Sequence, residues 1–235
     1  MVLLPAMIVK TIRQTQNDKA PMSEIRTSGP EDAAAHLVLA HGAGAPMTSP
    51  FLEMMTGLLT ERGLRVSRFE FAYMAQRRKD GKRRPPPKAE LMIPEYVEVV
   101  AELCKDLPRN QKLMIGGKSM GGRIASLCAD QLRAEDQIAG LVCLGYPFHP
   151  TGKPDKLRTR HLKDLRCPAL IVQGERDPFG IRAEVETYRL SSAIKIVWAA
   201  DGNHDLSPSR TSPFTSADNL TAAADAVSAF ALNLI

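Results

Sequence analysis

The order of apolar and polar residues predicts strands alternating with helices. Residues 35–40 (Ala-His-Leu-Val-Leu-Ala) form a nearly unbroken apolar run, the pattern of a strand buried on both faces. The run ends in His41-Gly42-Ala43-Gly44-Ala45-Pro46, a loop of small residues. Ser49-Pro50 then predicts a helix start. Phe51, Leu52, Met55, Leu58 and Leu59 follow at helical spacing, and Gly63 closes the helix. Residues 64–73 alternate in part through Val66, Phe69, Phe71 and Tyr73, as a strand does. Residues 91–107 place Val97, Val100, Leu103 and Leu107 on one helical face. Further along, strands are predicted over 113–117, 138–145, 169–174 and 194–199. Helices are predicted over 120–132, 181–190 and 218–234, and an irregular proline-rich, basic stretch over 146–166. Six strands are readable, and the weak pattern over residues 7–30 leaves room for one or two more. This alternation predicts an α/β fold with a mainly parallel sheet and helices on both faces. With no linker and no repeat, one domain is expected over residues 22–235. Residues 1–21 read as a tail or a start-site extension, with Met22 as a candidate start.

Composition changes this picture in one place. The 235 residues are 44% apolar and 24% charged, ordinary for a soluble globular chain. The brief N-terminal apolar run lacks a preceding basic residue and a cleavage site, and no stretch is long enough to span a membrane. The four cysteines, Cys104, Cys128, Cys143 and Cys167, sit among apolar residues with no C-x-x-C spacing, which predicts free thiols and favours the cytoplasm. The net charge of +5 comes from residues 76–88, which hold seven basic residues and one acid; the remainder nets −1. That run contains no aromatic residue, so no nucleic-acid partner is expected. It reads first as a solvated, proline-stiffened loop and second as a local site for an acidic ligand or partner.

The chemistry centres on Gly116-Gly117-Lys118-Ser119-Met120-Gly121-Gly122. Gly117-x-Ser119-x-Gly121 between a short apolar strand and a helix is the nucleophile-elbow pattern. A serine on so tight a turn takes unusual backbone angles, and its neighbours at minus two and plus two must lack bulk where strand and helix pass. The helix start supplies backbone N–H groups beside the hydroxyl. Gly117-Lys118-Ser119 also matches the end of a phosphate-binding loop. That loop needs a glycine where Lys112 stands, and residues 113–115 are an apolar strand.

In a mainly parallel sheet the site lies at the carboxyl ends of the strands. Two later strand ends carry Gly174-Glu175-Arg176-Asp177-Pro178 and Asp201-Gly202-Asn203-His204-Asp205. Serine, acid and histidine in that order suit a nucleophile, an orienting carboxylate and a general base. Of the five histidines, only His204 lies between the last strand and the last helix. Glu175, Asp201 and Asp205 compete with Asp177 as the acid, and Asp177 fits best, a short turn past its strand. The N–H groups of Met120 and Ala43 are the candidate oxyanion donors, with Gly42 and Gly44 as neighbours.

Together these motifs resemble the α/β-hydrolase superfamily. More narrowly the chain is similar to the small bacterial hydrolases grouped with dienelactone hydrolases and testis-expressed protein 30. Phe69-Glu70-Phe71-Ala72-Tyr73-Met74 and Gly145-Tyr146-Pro147-Phe148-His149-Pro150 fit that group. The resemblance covers roughly residues 22–235 and implies an α/β-hydrolase fold with a minimal cap, because 146–166 is too short and proline-broken for a large lid. It implies hydrolysis of a small ester, thioester or related acyl substrate through Ser119. Dienelactone hydrolase itself uses a cysteine nucleophile, so its substrate does not carry over.

Met47, Tyr73, Met74, Tyr146, Phe148, His149 and Phe179 are candidates to line a shallow substrate pocket with Gly42 and Gly44; for each, plain packing is the competing reading. Lys118 is assigned no catalytic role. No cofactor is implied, and no metal, since no cluster has ligand spacing. Two other functions stay open: an acyltransferase sharing the same acyl-enzyme, and a binding or scaffold protein using the basic run. Oligomeric state is not readable.

Overall fold

A computed structural model describes residues 24–234, so the expected tail over residues 1–21 lies outside the described residues. Among the described residues seven strands form one sheet: β1 (Ile25–Ser28), β2 (Ala35–Ala40), β3 (Arg65–Phe69), β4 (Lys112–Lys118), β5 (Gly140–Leu144), β6 (Ala169–Gly174) and β7 (Ile194–Ala199). Their order is β1-β3-β2-β4-β5-β6-β7, parallel throughout except for β1, which pairs antiparallel with β3. The expected mainly parallel α/β architecture is therefore present, with β1 as the additional strand inside the weak N-terminal region.

The helices cover the two faces. They are α1 (Pro50–Glu61), α2 (Ala72–Asp80), α3 (Ala89–Lys105), α4 (Met120–Ala134), α5 (Arg182–Val185) and α6 (Ser216–Leu232). Every residue of β2 is buried, and its side chains divide between two cores. Val38 and Ala40 pack with Tyr96, Val100, Ile124 and Cys128 under α3 and α4. Leu37 and Leu39 pack with Leu52, Met55, Leu59, Ala224 and Val227 under α1 and α6. This explains the unbroken apolar run: a strand covered on both sides has no wet face.

Tyr96 of α3 does more than fill space. Its hydroxyl lies 2.6 Å from Gly116 O and 3.1 Å from Val38 O, and accepts Gly116 N–H at 2.9 Å. A side-chain oxygen thus ties main-chain groups of both β2 and β4, whose parallel register continues through Leu39↔Gly116.

Two expected elements differ. The strand over 64–73 stops at Phe69, and Tyr73 lies on α2. Residues 76–80 of the basic run therefore finish a helix, and only 81–88 form an exposed irregular segment. The helix over 181–190 is one turn, Arg182–Val185. Thr187 N and Tyr188 N bond to carbonyls three residues back, at 3.0 Å each, and this tightening ends it. The four cysteines are free, with Cys104 only partly buried.

Candidate active site

Strand order reverses direction between β2 and β4, which opens a crevice at their carboxyl ends. The register Ala40↔Gly117 sets the loop after β2 beside the turn after β4. Ser119 occupies that turn with φ 53° and ψ −115°, a left-handed backbone that costs a non-glycine residue about 1–3 kcal/mol. Both flanking glycines are required by contact. A Cβ on Gly117 would lie 2.5 Å from Ala40 O, and one on Gly121 would lie 2.5 Å from Ala40 O and 2.7 Å from His41 O. Met120 opens α4, so its N–H belongs to the first turn, which has no intrahelical acceptor.

The loop after β2 is anchored from behind. His41 is fully buried, with Nδ1–H donating to Gly42 O at 2.7 Å and Nε2 accepting Phe71 N–H at 3.2 Å. These two partners fix the tautomer, because a carbonyl only accepts and an amide N–H only donates. Burial lowers the pKa of His41 and keeps the ring neutral, against the opposing pull of the Gly42 carbonyl and Glu70. Holding Gly42 O turns the N–H of the same peptide, that of Ala43, to the opposite side. Tyr73 Oη donates to Ala43 O at 3.1 Å and Arg77 Nη1 to Gly44 O at 3.0 Å, so α2 backs the loop. A Cβ on Gly42 would lie 3.8 Å from Ser119 Cβ.

Asp177 is fully buried in the turn after β6. Its Oδ2 accepts from His204 Nδ1 at 2.7 Å and from Gln173 Nε2 at 3.0 Å, and its Oδ1 accepts Phe179 N–H at 2.9 Å. The competing acids are committed elsewhere. Glu175 accepts from Arg182 and from Asp201 N–H, Asp201 from Ser209 and Arg176, and Asp205 faces Lys118. The acid turn and the histidine loop touch main chain to main chain: a Cβ on Gly174 would meet Asn203 O at 2.2 Å. Asn219 of α6 secures the far side of the loop, donating to Ala200 O at 2.9 Å and Leu206 O at 2.7 Å. The His204 side chain is 22% exposed, and the Phe179 ring lies 4.4 Å from it. Among the described residues no hydrogen bond joins Ser119 Oγ directly to His204, although both side chains border one cavity. Such contacts commonly tighten only with substrate bound.

That cavity measures about 670 Å³. Gly42, Gly44 and Phe179 border it as expected. Its apolar wall comes instead from Pro50, Phe51 and Met54 of α1 and Leu220 of α6, and Lys118, Asp205 and Ser207 add polar groups to the lining. The other expected pocket residues do not reach it. Met47, Met74, Tyr146 and Phe148 are buried in packing. Tyr73 turns its hydroxyl onto the loop main chain. The His149 ring is held between Pro150 O at 3.0 Å and Glu184 at 3.1 Å. Tyr73 and Met74 belong to α2, and Tyr146, Phe148 and His149 to the 146–166 segment, whereas the crevice is walled by α1 and α6. Sequence reasoning missed Gln173, Phe51, Met54 and Leu220; the i, i+3 pair Phe51 and Met54, directly after the glycine loop, was the available signal. Among the described residues no cluster of His, Cys, Asp and Glu is placed to hold a metal ion, and no helix is long and apolar enough to cross a membrane.

Comparison with known proteins agrees with this architecture. A family model described as an alpha/beta hydrolase domain matches residues 33–232. A dienelactone hydrolase from Anabaena variabilis is 20% identical with a TM-score of 0.67, covering 90% of this chain and 91% of its own. An alpha-beta serine hydrolase homologue from Coxiella burnetii is 17% identical with a TM-score of 0.66, covering 91% and 92%. A serine hydrolase without lid from Xanthomonas campestris is 17% identical with a TM-score of 0.65, covering 89% of each chain. At these identities the likeness to the solved structures is one of fold.

Proposed function

The chain belongs to the alpha/beta hydrolase family, and from that premise we propose that it is a serine hydrolase cleaving a small ester, thioester or related acyl substrate through an acyl-enzyme on Ser119. The observation that carries this reading is the 2.7 Å bond from His204 Nδ1 to buried Asp177, on a histidine that shares its cavity with Ser119. A carboxylate on Nδ1 keeps the proton there and leaves Nε2 free to accept one.

Ser119 Oγ attacks the substrate carbonyl carbon as His204 Nε2 takes the hydroxyl proton. Asp177 steadies the imidazolium that results. The carbonyl oxygen gains negative charge and is stabilised by the candidate oxyanion donors, the N–H groups of Ala43 and Met120. The intermediate collapses, and the departing alcohol or thiol leaves with the proton from His204. Water then attacks the acyl carbon, gives its proton to His204, and the acid departs as Ser119 recovers its own. The apolar wall of Pro50, Phe51, Met54 and Leu220 suits an uncharged acyl or alkyl group.

A fluorophosphonate probe tests the reading. Wild-type protein is expected to be labelled and Ser119→Ala is not, and a panel of short-chain 4-nitrophenyl esters, thioesters and lactones then ranks substrates. Equal labelling of both proteins, or none of the wild type, overturns it. Partition of the acyl group between water and added alcohols separates hydrolysis from acyl transfer.

A further inference from the structure

We propose that Lys118 is a positioning residue whose ammonium ties the loop carrying the base to the strand end carrying the nucleophile. The inference rests on the roles given above to Ser119 and His204.

Lys118 is the last residue of β4 and the chain neighbour of Ser119. Lysines usually keep the ammonium in water, yet this residue is only 8% exposed. Burial lowers its pKa from that of free lysine, against the opposing Asp205 carboxylate. An ammonium so placed is costly unless its N–H groups are used. Nζ donates to the main-chain carbonyl of His204 at 2.8 Å and lies 3.2 Å from Asp205 Oδ1. The Phe51 ring is 5.2 Å away.

The two polar contacts are unequal. The Asp205 side chain is 66% exposed, so water screens that pair, and it balances charge more than it fixes position. The His204 carbonyl is the short, directed partner. Because Lys118 is bonded to Ser119 and the carbonyl belongs to His204, this one contact spans the two residues whose side chains must exchange a proton. No direct Ser119–His204 hydrogen bond is present among the described residues, so their spacing is set by such indirect ties. Gly145 leaves room for this one. It has φ 67°, and a Cβ there would lie 3.1 Å from Lys118 Nζ, 2.8 Å from His204 O and 3.3 Å from His204 Nδ1.

The test compares wild type with Lys118→Met, which keeps the apolar stem and removes the donor. The readouts are the rate of fluorophosphonate labelling, and kcat and KM on neutral 4-nitrophenyl acetate and anionic mono-4-nitrophenyl succinate. Displacing reacting groups by about 1 Å costs on the order of 100-fold. Labelling and kcat on both esters are therefore expected to fall by about tenfold or more, with KM nearly unchanged. Lys118→Gln, which keeps a donor, is expected to lose less, and Lys118→Leu replaces the methionine variant if that does not fold. Unchanged labelling and kcat in a folded variant without the donor overturn the proposal. So does a KM rise confined to the anionic ester, which would make Lys118 a substrate-binding group. A wild type that is not labelled removes the underlying reading and this inference with it; a labelled wild type with an equally labelled variant removes this inference alone.

Discussion

Replacing Tyr96 by phenylalanine removes one oxygen atom from the centre of the sheet. The ring is fully buried in α3, and burial pushes its phenol well above the usual pKa, so the hydroxyl is neutral. It accepts Gly116 N–H at 2.9 Å and has one proton to give to Gly116 O at 2.6 Å or Val38 O at 3.1 Å. The variant leaves at least two buried main-chain groups without this partner, and phenylalanine makes no room for water. Each such group costs about 1–3 kcal/mol, so the expected loss is about 2–5 kcal/mol, with no cavity contribution because the ring remains. Urea unfolding followed by circular dichroism measures it: the midpoint should fall while the slope stays constant. A loss below about 1 kcal/mol would mean that the β2–β4 ladder satisfies these groups by itself, and the hydroxyl would then be incidental to the sheet.

Three further outcomes follow from the same geometry. Asp177→Asn presents an N–H to His204 Nδ1, favours the wrong tautomer, and should slow probe labelling by about 10³–10⁴ in protein that still folds; a change under tenfold would remove Asp177 from the proposed role. Gly121→Ala drives a Cβ against the main chain of Ala40 and His41 and should lower the melting temperature by about 5 °C or more in a chain of this size; a thermal scan showing no change would contradict it. Burial holds His36 and His161 at a pKa of about 4 in the fold, against 6.5 for a free side chain. Below pH 6.5 the unfolded chain takes up protons that the fold refuses. Stability should therefore drop as pH falls from 6.5 toward 4, by up to about 1.4 kcal/mol per pH unit for each histidine. Urea midpoints at pH 7 and pH 5 check this, and His36→Gln should flatten the profile.

What could be read in advance follows from the range of the interactions involved. β2 was legible because double burial leaves apolar residues at every position of one short run except His36. The turn at Ser119 was legible because its steric demands fall on Gly117 and Gly121, two positions away on either side. β1 was not, since its four residues are half-buried or exposed at an edge and carry no run. The pocket wall failed for another reason. Whether the crevice opens toward α1 and α6 or toward α2 depends on how loops 41–45 and 146–166 settle, and local periodicity does not encode that. Gln173 looked like an ordinary strand residue and Lys118 was given no role, because their partners lie at Asp177, Tyr146 and His204, reached only once strands are neighbours.

The brace from Asn219 bears on when activity can first appear during synthesis. The loop carrying His204 is held by a side chain from α6, the last helix described and a partner of α1 in one core. A nascent chain that has emerged only as far as residue 205 has the serine, the carboxylate and the histidine, but not the brace behind that loop. On the roles proposed above, competence therefore follows docking of α6, and nascent chains that have not yet exposed α6 should leave acyl substrates untouched.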